Sequence, residues 1–418
     1  MRFEKRSLAE VAAGLDGSGV DEATLAAAGQ IVADVRARGE AGLRHHAERL
    51  GDVAEGAPLI LRGEALAAAK SAVSSEVLGV LERTAARIET FAARQRAALE
   101  ELTVAVPGGT LGHEVAPVSR AGCYAPGGRY PLPSSVLMTA VTARAAGVEE
   151  VWVASPRPTP VTLAAAAVAG ADAVLMAGGA QAIAAFGFGA GDVPACDAIV
   201  GPGNRWVTAA KQQLAGRVAI DMLAGPSEVL IIADEKANPA VVAADLLAQC
   251  EHDTDARGLL VTSSAALVEA VTAELERQLA TLPTRETAEV ALENGGYVLV
   301  KDLAEACEVS DAVAPEHLEL LVEHPDGLRP RLHHYGALFI GEGAAEVLGD
   351  YGVGPNHTLP TGGTARSFGG LSVHTFLRVR TFMQLDGGAA PEVLDDVVAL
   401  ARLEGLEAHA RAAELRRR

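Results

Sequence analysis

Along residues 20–110, apolar side chains recur at helical spacing, most regularly between Leu78 and Leu99, in a background of Ala, Leu, Glu and Arg with almost no Pro. That period predicts a largely helical segment. After Pro107-Gly108-Gly109 the pattern changes to short apolar runs closed by turn residues. Runs at 148–154, 173–176 and 198–200 are each followed by a helix-like stretch. A second series begins at 229–233 and continues through 258–262, 297–300, 318–322 and 338–340, again with helical segments between. Continuous apolar runs alternating with helices predict parallel strands joined by crossover helices, hence an α/β protein with two such units. From about Leu371 the chain leads to a helix expected to start near Pro391 and to continue past His409. The chain contains no internal repeat or low-complexity tract.

Glycine loops close several of these runs. Tyr124-Ala-Pro-Gly127-Gly128, Gly178-Gly179-Ala-Gln181, Gly201-Pro-Gly203-Asn204 and Ala224-Gly225-Pro226-Ser227 each follow an apolar run and precede helix-forming sequence, where open sheets bind ligands. A single loop of this kind is explained by a turn that needs glycine at positive φ; four in matching positions favour a ligand crevice. None is a G-x-G-x-x-G fingerprint. The nearest, Gly201-Pro-Gly203-Asn-Arg-Trp206, puts Trp where a third Gly would allow tight helix packing, so a dinucleotide would be held atypically.

Composition narrows the partners. With 49% hydrophobic residues and a mean hydropathy of +0.21, the chain can bury large cores. No apolar run reaches the roughly 20 residues of a membrane helix, and Met1-Arg-Phe-Glu-Lys-Arg lacks an apolar signal core, so a cytoplasmic location away from membranes is expected. A net charge of -19 repels phosphate backbones, which disfavours nucleic acid and favours small molecules. Cys123, Cys196, Cys250 and Cys307 are far apart and form no C-x-x-C pair; they read as reduced, buried thiols rather than zinc ligands or a disulfide framework.

Several polar residues carry candidate chemistry. Gln249 and His252, three apart in an Ala/Leu-rich stretch, share one helical face and form half of a metal site or else an ordinary helix surface. Asp350 and Asn356-His357 lie in a Gly/Pro-rich loop, where turn geometry is the competing role. Glu316-His317 follows Pro315, which biases Ala314 toward extended backbone and places both side chains at a loop or an element terminus. An adjacent carboxylate and imidazole suit proton transfer; a helix start with Glu in its first turn is the alternative. Glu404 and His409 are five apart, about 140° around a helix, so they can serve one site only if the helix wraps it or bends at Gly405. The other histidines, His45, His46, His113, His324, His333, His334 and His374, show no partner pattern.

Beyond these single readings, the run from Ile220 through Gly225-Pro-Ser227 to Ala233, continued by Asp245-Leu-Leu-Ala-Gln249-Cys-Glu-His252, resembles the signature of the histidinol dehydrogenase family. The resemblance extends over nearly the whole chain: the Tyr124 loop, Gly179-Ala-Gln181, Val200-Gly-Pro-Gly-Asn204, Ala314-Pro-Glu-His317, Gly354-Pro-Asn-His357 and Glu404-Gly-Leu-Glu-Ala-His409. It implies one zinc per subunit held by Gln249, His252, Asp350 and His409, the last supplied by the other subunit of a domain-swapped homodimer. It also implies Glu316 and His317 as the catalytic pair and Ser227, His357 and Glu404 as substrate contacts beside His317 and the metal ligands. Tyr124, Gln181 and Asn204 match the NAD+ pocket. The implied reaction is oxidation of L-histidinol to L-histidine through the aldehyde with two NAD+. The implied fold has two incomplete Rossmann-like α/β domains plus small terminal segments: an arm over 1–19, a first domain from 20–110 with 228–372, a second over 111–227, and a swapped helical segment over 373–418. Relatives of the same superfamily keep the zinc residues and oxidise other alcohols, including sulfonated diols. Two further readings are a zinc hydrolase with Glu316 as base and a non-catalytic metal-stabilised module. Cys123, Arg129 and His374 depart from the family pattern without touching an expected ligand.

Overall fold

The computed structural model describes residues 3–13, 19–127 and 131–417; Gly128 and Arg129 of the first glycine loop lie outside them. The α/β expectation holds. One sheet has the strand order Ile60–Arg62, Ala173–Leu175, Glu150–Ala154, Arg120–Tyr124, Ala198–Val200, Ala219–Ile220, parallel except for the first of these. A second, fully parallel sheet runs Gly296–Leu299, Arg257–Thr262, Glu228–Ala233, His317–Leu321, Ala337–Ile340. Their strands are buried nearly end to end, which is why they read as continuous apolar runs rather than alternating ones.

The packing divides the chain differently from the expected partition. Segment 20–110 joins 111–227, not 228–372. Ile60–Arg62 extends the first sheet antiparallel to Ala173–Leu175. Ala28, Val32 and Leu43 of helices Glu22–Arg38 and Glu40–Arg49 share a core with Leu175, Ala184 and Phe186. Leu81, Ala85 and Ile88 of helix Ser75–Ala97 pack with Leu137 and Met138. The small side chains on both sides let these helices approach closely, and burying their apolar stripes is what fixes them there. The N-terminal arm instead serves the second sheet: Phe3 and Val11 are buried in its two cores, and Lys5 bridges to Tyr297.

Nor is the C-terminal segment wholly helical. Leu377–Gln384 pairs antiparallel with Gly109–Pro117, which pairs in turn with Leu102–Val106. Beyond this three-stranded sheet, helices Pro391–Leu403 and Glu407–Glu414 pack on each other through Leu394, Val398, Ala401, Ala410 and Ala413. The expected break falls at Gly405, whose φ of +75° a side chain would strain.

Candidate active site

Helix Leu303–Val313 ends at Ala314, which adopts φ 51°, ψ 61° and donates its N–H to the Ser310 carbonyl. The extended backbone expected before Pro315 is thus overridden by a left-handed helix cap. The turn delivers Pro315-Glu316 directly into strand His317–Leu321, alongside Glu228–Ala233. Glu316 Oε2 accepts from the Ser227 hydroxyl at 2.6 Å and from the Glu228 N–H at 2.9 Å. Burial pushes the Glu316 carboxyl up to about 8 despite these two bonds, and the Asp350 charge adds to the rise. His317 Nδ1 lies 3.1 Å from the Glu228 carbonyl. A carbonyl only accepts, so Nδ1 carries the proton and Nε2 keeps its lone pair. Nε2 is buried without a hydrogen-bond partner, and burial lowers the basicity of the ring.

Gln249 ends helix Pro239–Cys250 and is fully buried, with neither amide atom hydrogen-bonded. A buried unpaired amide costs free energy, which a metal–oxygen contact would offset. His252 follows one turn later, its Nε2 3.7 Å from Asp350 Oδ2. Asp350, on helix Glu346–Tyr351, has Oδ1 3.9 Å from His317 Nε2 and 3.9 Å from His357 Nδ1, while His357 Nδ1 is 3.1 Å from the Asp350 carbonyl. Amide oxygen, imidazole nitrogen and carboxylate together suit a divalent cation of the zinc type. Among the described residues of one chain, no three His, Cys, Asp or Glu side chains form a ligating cluster. Within one chain the candidate set supplies only His252 and Asp350 of those types. Glu404 and His409 are exposed on the C-terminal helices and do not line the cavity formed by the other residues.

That cavity, of about 230 Å³, is bounded by Ser227, His252, Glu316, His317, Asp350 and His357 on one side and by the Pro126 and Pro202-Gly203 loops of the first sheet on the other. A second cavity of about 480 Å³ shares Pro126 and holds Tyr124, Gln181 and Asn204. The Tyr124 hydroxyl accepts from the Gly179 N–H at 3.2 Å, and Asn204 caps helix Arg205–Leu214. At Gly201, with φ +111°, a Cβ would stand 2.0 Å from the Tyr124 carbonyl, so the loop closes only with glycine.

The family model of histidinol dehydrogenase matches residues 18–417. The chain belongs to the histidinol dehydrogenase family. It is 50% identical to the histidinol dehydrogenase of Thermus thermophilus over 82% of this chain and 84% of that one. Identity to the Parasynechococcus marenigrum enzyme is 46%, over 91% and 88% of the two chains. The crystal structure of histidinol dehydrogenase from Elizabethkingia anophelis superposes with a TM-score of 0.90 at 32% identity, covering 99% of this chain and 96% of the other. An acetylating aldehyde dehydrogenase from Geobacillus thermoglucosidasius shares the fold alone, at 15% identity and a TM-score of 0.50 over 90% and 95% of the chains. As a histidinol dehydrogenase, the chain is an NAD-dependent oxidoreductase.

Sequence reading missed a group of buried carboxylates behind His317 in this histidinol dehydrogenase. Glu346 Oε2 lies 3.7 Å from His317 Nδ1, and neither carboxylate oxygen of Glu346 has a hydrogen-bond partner; burial and neighbouring carboxylates hold its titration well above the usual range. Glu319 Oε1 accepts from the Glu346 N–H at 2.9 Å, and the Asp245 carboxylate adds to the rise in the Glu319 titration. Burial pushes these last two up to about 8 and about 6. The available signal was an acid inside the apolar strand His-Leu-Glu-Leu-Leu, which is covered on both faces. All four cysteines are free and buried, as expected.

Proposed function

We propose that this chain oxidises L-histidinol to L-histidine through L-histidinal, with two NAD+ used in succession and one zinc ion per site. The observation that carries the reading is His317 Nε2, a buried, partnerless lone pair held by the Nδ1 contact to Glu228, beside Glu316 and the Asp350 carboxylate. Gln249, His252 and Asp350 would hold the metal. Zinc there would fix the imidazole and amino nitrogens of the substrate, so that it positions more than it polarises. His317 Nε2 takes the hydroxyl proton of the bound alcohol. Glu316, once ionised, draws the proton from a water that hydrates the aldehyde, and Ser227 holds that carboxylate in place. His317 then deprotonates the hydrate for the second oxidation. The larger cavity would take the dinucleotide, with Tyr124, Gln181 and Asn204 on its walls.

A second copy of the chain completes the site. Glu404 and His409 are exposed, and helix Pro391–Leu403 leaves Val393, Val397, Leu400 and Leu403 uncovered. Apolar surface of that kind calls for a protein partner, and a homodimer exchanging its C-terminal helices would bring Glu404 to the substrate and His409 to the metal. Absorbance at the NADH band after mixing histidinol and NAD+ tests the function. Two NADH per histidinol are expected; one would reduce the enzyme to a simple alcohol dehydrogenase, and none would overturn the reading.

A further inference from the structure

One wall of the larger cavity comes from outside the parallel strands. Arg49 and Leu50, at the end of helix Glu40–Arg49, and Asp52 just beyond it line the cavity together with Gly178, Gly179 and Gln181. Among the described residues Asp52 is the one acid lining it, and it is buried. A single oxygen, Oδ2, accepts from the Gly178 N–H at 2.9 Å and from Gln181 Nε2 at 2.8 Å.

This contact decides which way the Gln181 amide points. An ionised carboxylate only accepts, so the NH2 end must face Asp52 and the oxygen end must turn elsewhere. Gln181 is 1% exposed and its Oε1 has no partner. That oxygen lies against Gly179, where a Cβ would stand 2.9 Å from it. Tyr124, which accepts from Gly179, keeps its proton because burial pushes its hydroxyl up to about 12. Beside the cavity stand one buried acceptor without a partner, Gln181 Oε1, and one hydroxyl that keeps its proton.

We infer that Asp52 is a positioning residue for cofactor recognition: by taking the N–H of Gln181 it turns the amide oxygen toward a hydrogen-bond donor of the dinucleotide, either a ribose hydroxyl or the carboxamide N–H. The inference rests on the reading of this cavity as the dinucleotide pocket. Without Asp52 the amide is free to rotate and the acceptor is lost for part of the time.

The test is steady-state kinetics of the metal-loaded enzyme carrying Asp52→Ala, Asp52→Asn, Gln181→Ala or Asp52→Ala with Gln181→Ala. Asp52→Ala is expected to raise KM for NAD+ about tenfold, the worth of one neutral hydrogen bond, with KM for histidinol and metal content unmoved. Asp52→Asn, whose oxygen still accepts from both donors, should return KM to within about threefold of the starting value. The double variant should be no worse than Gln181→Ala, because the two residues act as a unit. Should Asp52→Ala not fold, Asp52→Ser carries the same test, with KM for NAD+ expected to rise; an unmoved KM overturns the inference. With 3-acetylpyridine adenine dinucleotide, which lacks the carboxamide N–H, the Asp52→Ala effect disappears if that N–H is the donor and persists if a ribose hydroxyl is. If Gln181→Ala raises KM for NAD+ and Asp52→Ala does not, the inference fails while the pocket reading stands. If Gln181→Ala is also silent, both fail. An equal rise in both KM values would make Asp52 a general structural residue and overturn the inference.

Discussion

The two parallel sheets repeat one strand order and use opposite edges of it. In each, the first strand of the unit is followed outward by the second and third, and the chain then returns to add the fourth and fifth on the other side. The order therefore reverses between Arg120–Tyr124 and Ala198–Val200 in one sheet, and between Glu228–Ala233 and His317–Leu321 in the other. At the first reversal the cavity lies beyond the carboxyl ends, where Tyr124, Gly178 and Gly201 follow their strands, as expected for an open α/β sheet. At the second, Ser227-Glu228 and Glu316-His317 stand at the amino ends. Setting the carboxyl edge of one sheet against the amino edge of the other brings the glycine loops to Glu316 and His317. Topology supplied two equivalent reversals; the residues placed at the edges decided which edge works.

The halves also differ in how they settle buried polar groups. In the first, Lys211 Nζ donates to Asp221 Oδ1 at 2.6 Å and to the Gly201 carbonyl at 2.6 Å, and Asp221 Oδ2 accepts from the Gly201 N–H at 2.6 Å. This closed network grips both sides of one loop residue. In the second, Gln249, Glu346, Glu319 Oε2 and His317 Nε2 are buried without partners in the chain. The Lys211–Asp221 network is satisfied within the chain, whereas these atoms of the second half are not.

The contrast makes different predictions for each half. His317→Ala should lower turnover by about 10²-fold or more while zinc content stays at the wild-type value; undiminished kcat would remove it as the base. In the other half, Lys211→Met leaves Asp221 buried and unpaired. It should cost about 3–5 kcal/mol in denaturant unfolding, and an unchanged midpoint would show that the pair is dispensable.

Acid–base behaviour separates the halves more gently. Burial holds Glu316 and Glu319 up to about 8 and Glu228 up to about 7 in the folded chain. Between the ordinary carboxylate value of 4.5 and these values the folded state binds protons that the unfolded chain has released, so stability falls as pH rises through this window. Calorimetry of the metal-free protein should show Tm dropping from pH 5 toward pH 8, with a flatter profile in Glu319→Gln; a rising profile would contradict the buried-acid assignment. The smallest effect is expected from thiol alkylation. Burial pushes Cys123 and Cys250 up to about 12 and raises Cys196 and Cys307 as well, so iodoacetamide at neutral pH should leave activity intact.

Much of the second half was legible because its signals are local. The apolar runs at 258–262 and 318–322 fall within a residue of the strands found, whereas helix Pro239–Cys250 carries Gln249 but ends before His252, so the two do not share a helical face. The third sheet was not legible, since Leu377–Gln384 carries four polar or charged exposed residues among its apolar ones and finds its partner strand at Gly109–Pro117, far back along the chain. The placement of 20–110 depended on which Ala-rich faces fit together, a matter of shape that periodicity does not encode. Asp52 and Lys211 gave no sign of their roles because their partners, Gln181 and Asp221, are reached only through the fold.

The proposal that a second copy of the chain completes the site is tested most directly by subunit complementation. Gln249→Ala and His409→Ala are each expected to be inactive alone. When the two are mixed, unfolded and refolded together, half of the dimers are mixed, and each of these holds one intact site. About a quarter of wild-type activity should return. No recovery from two folded, dimeric and individually inactive variants would contradict a site shared between subunits.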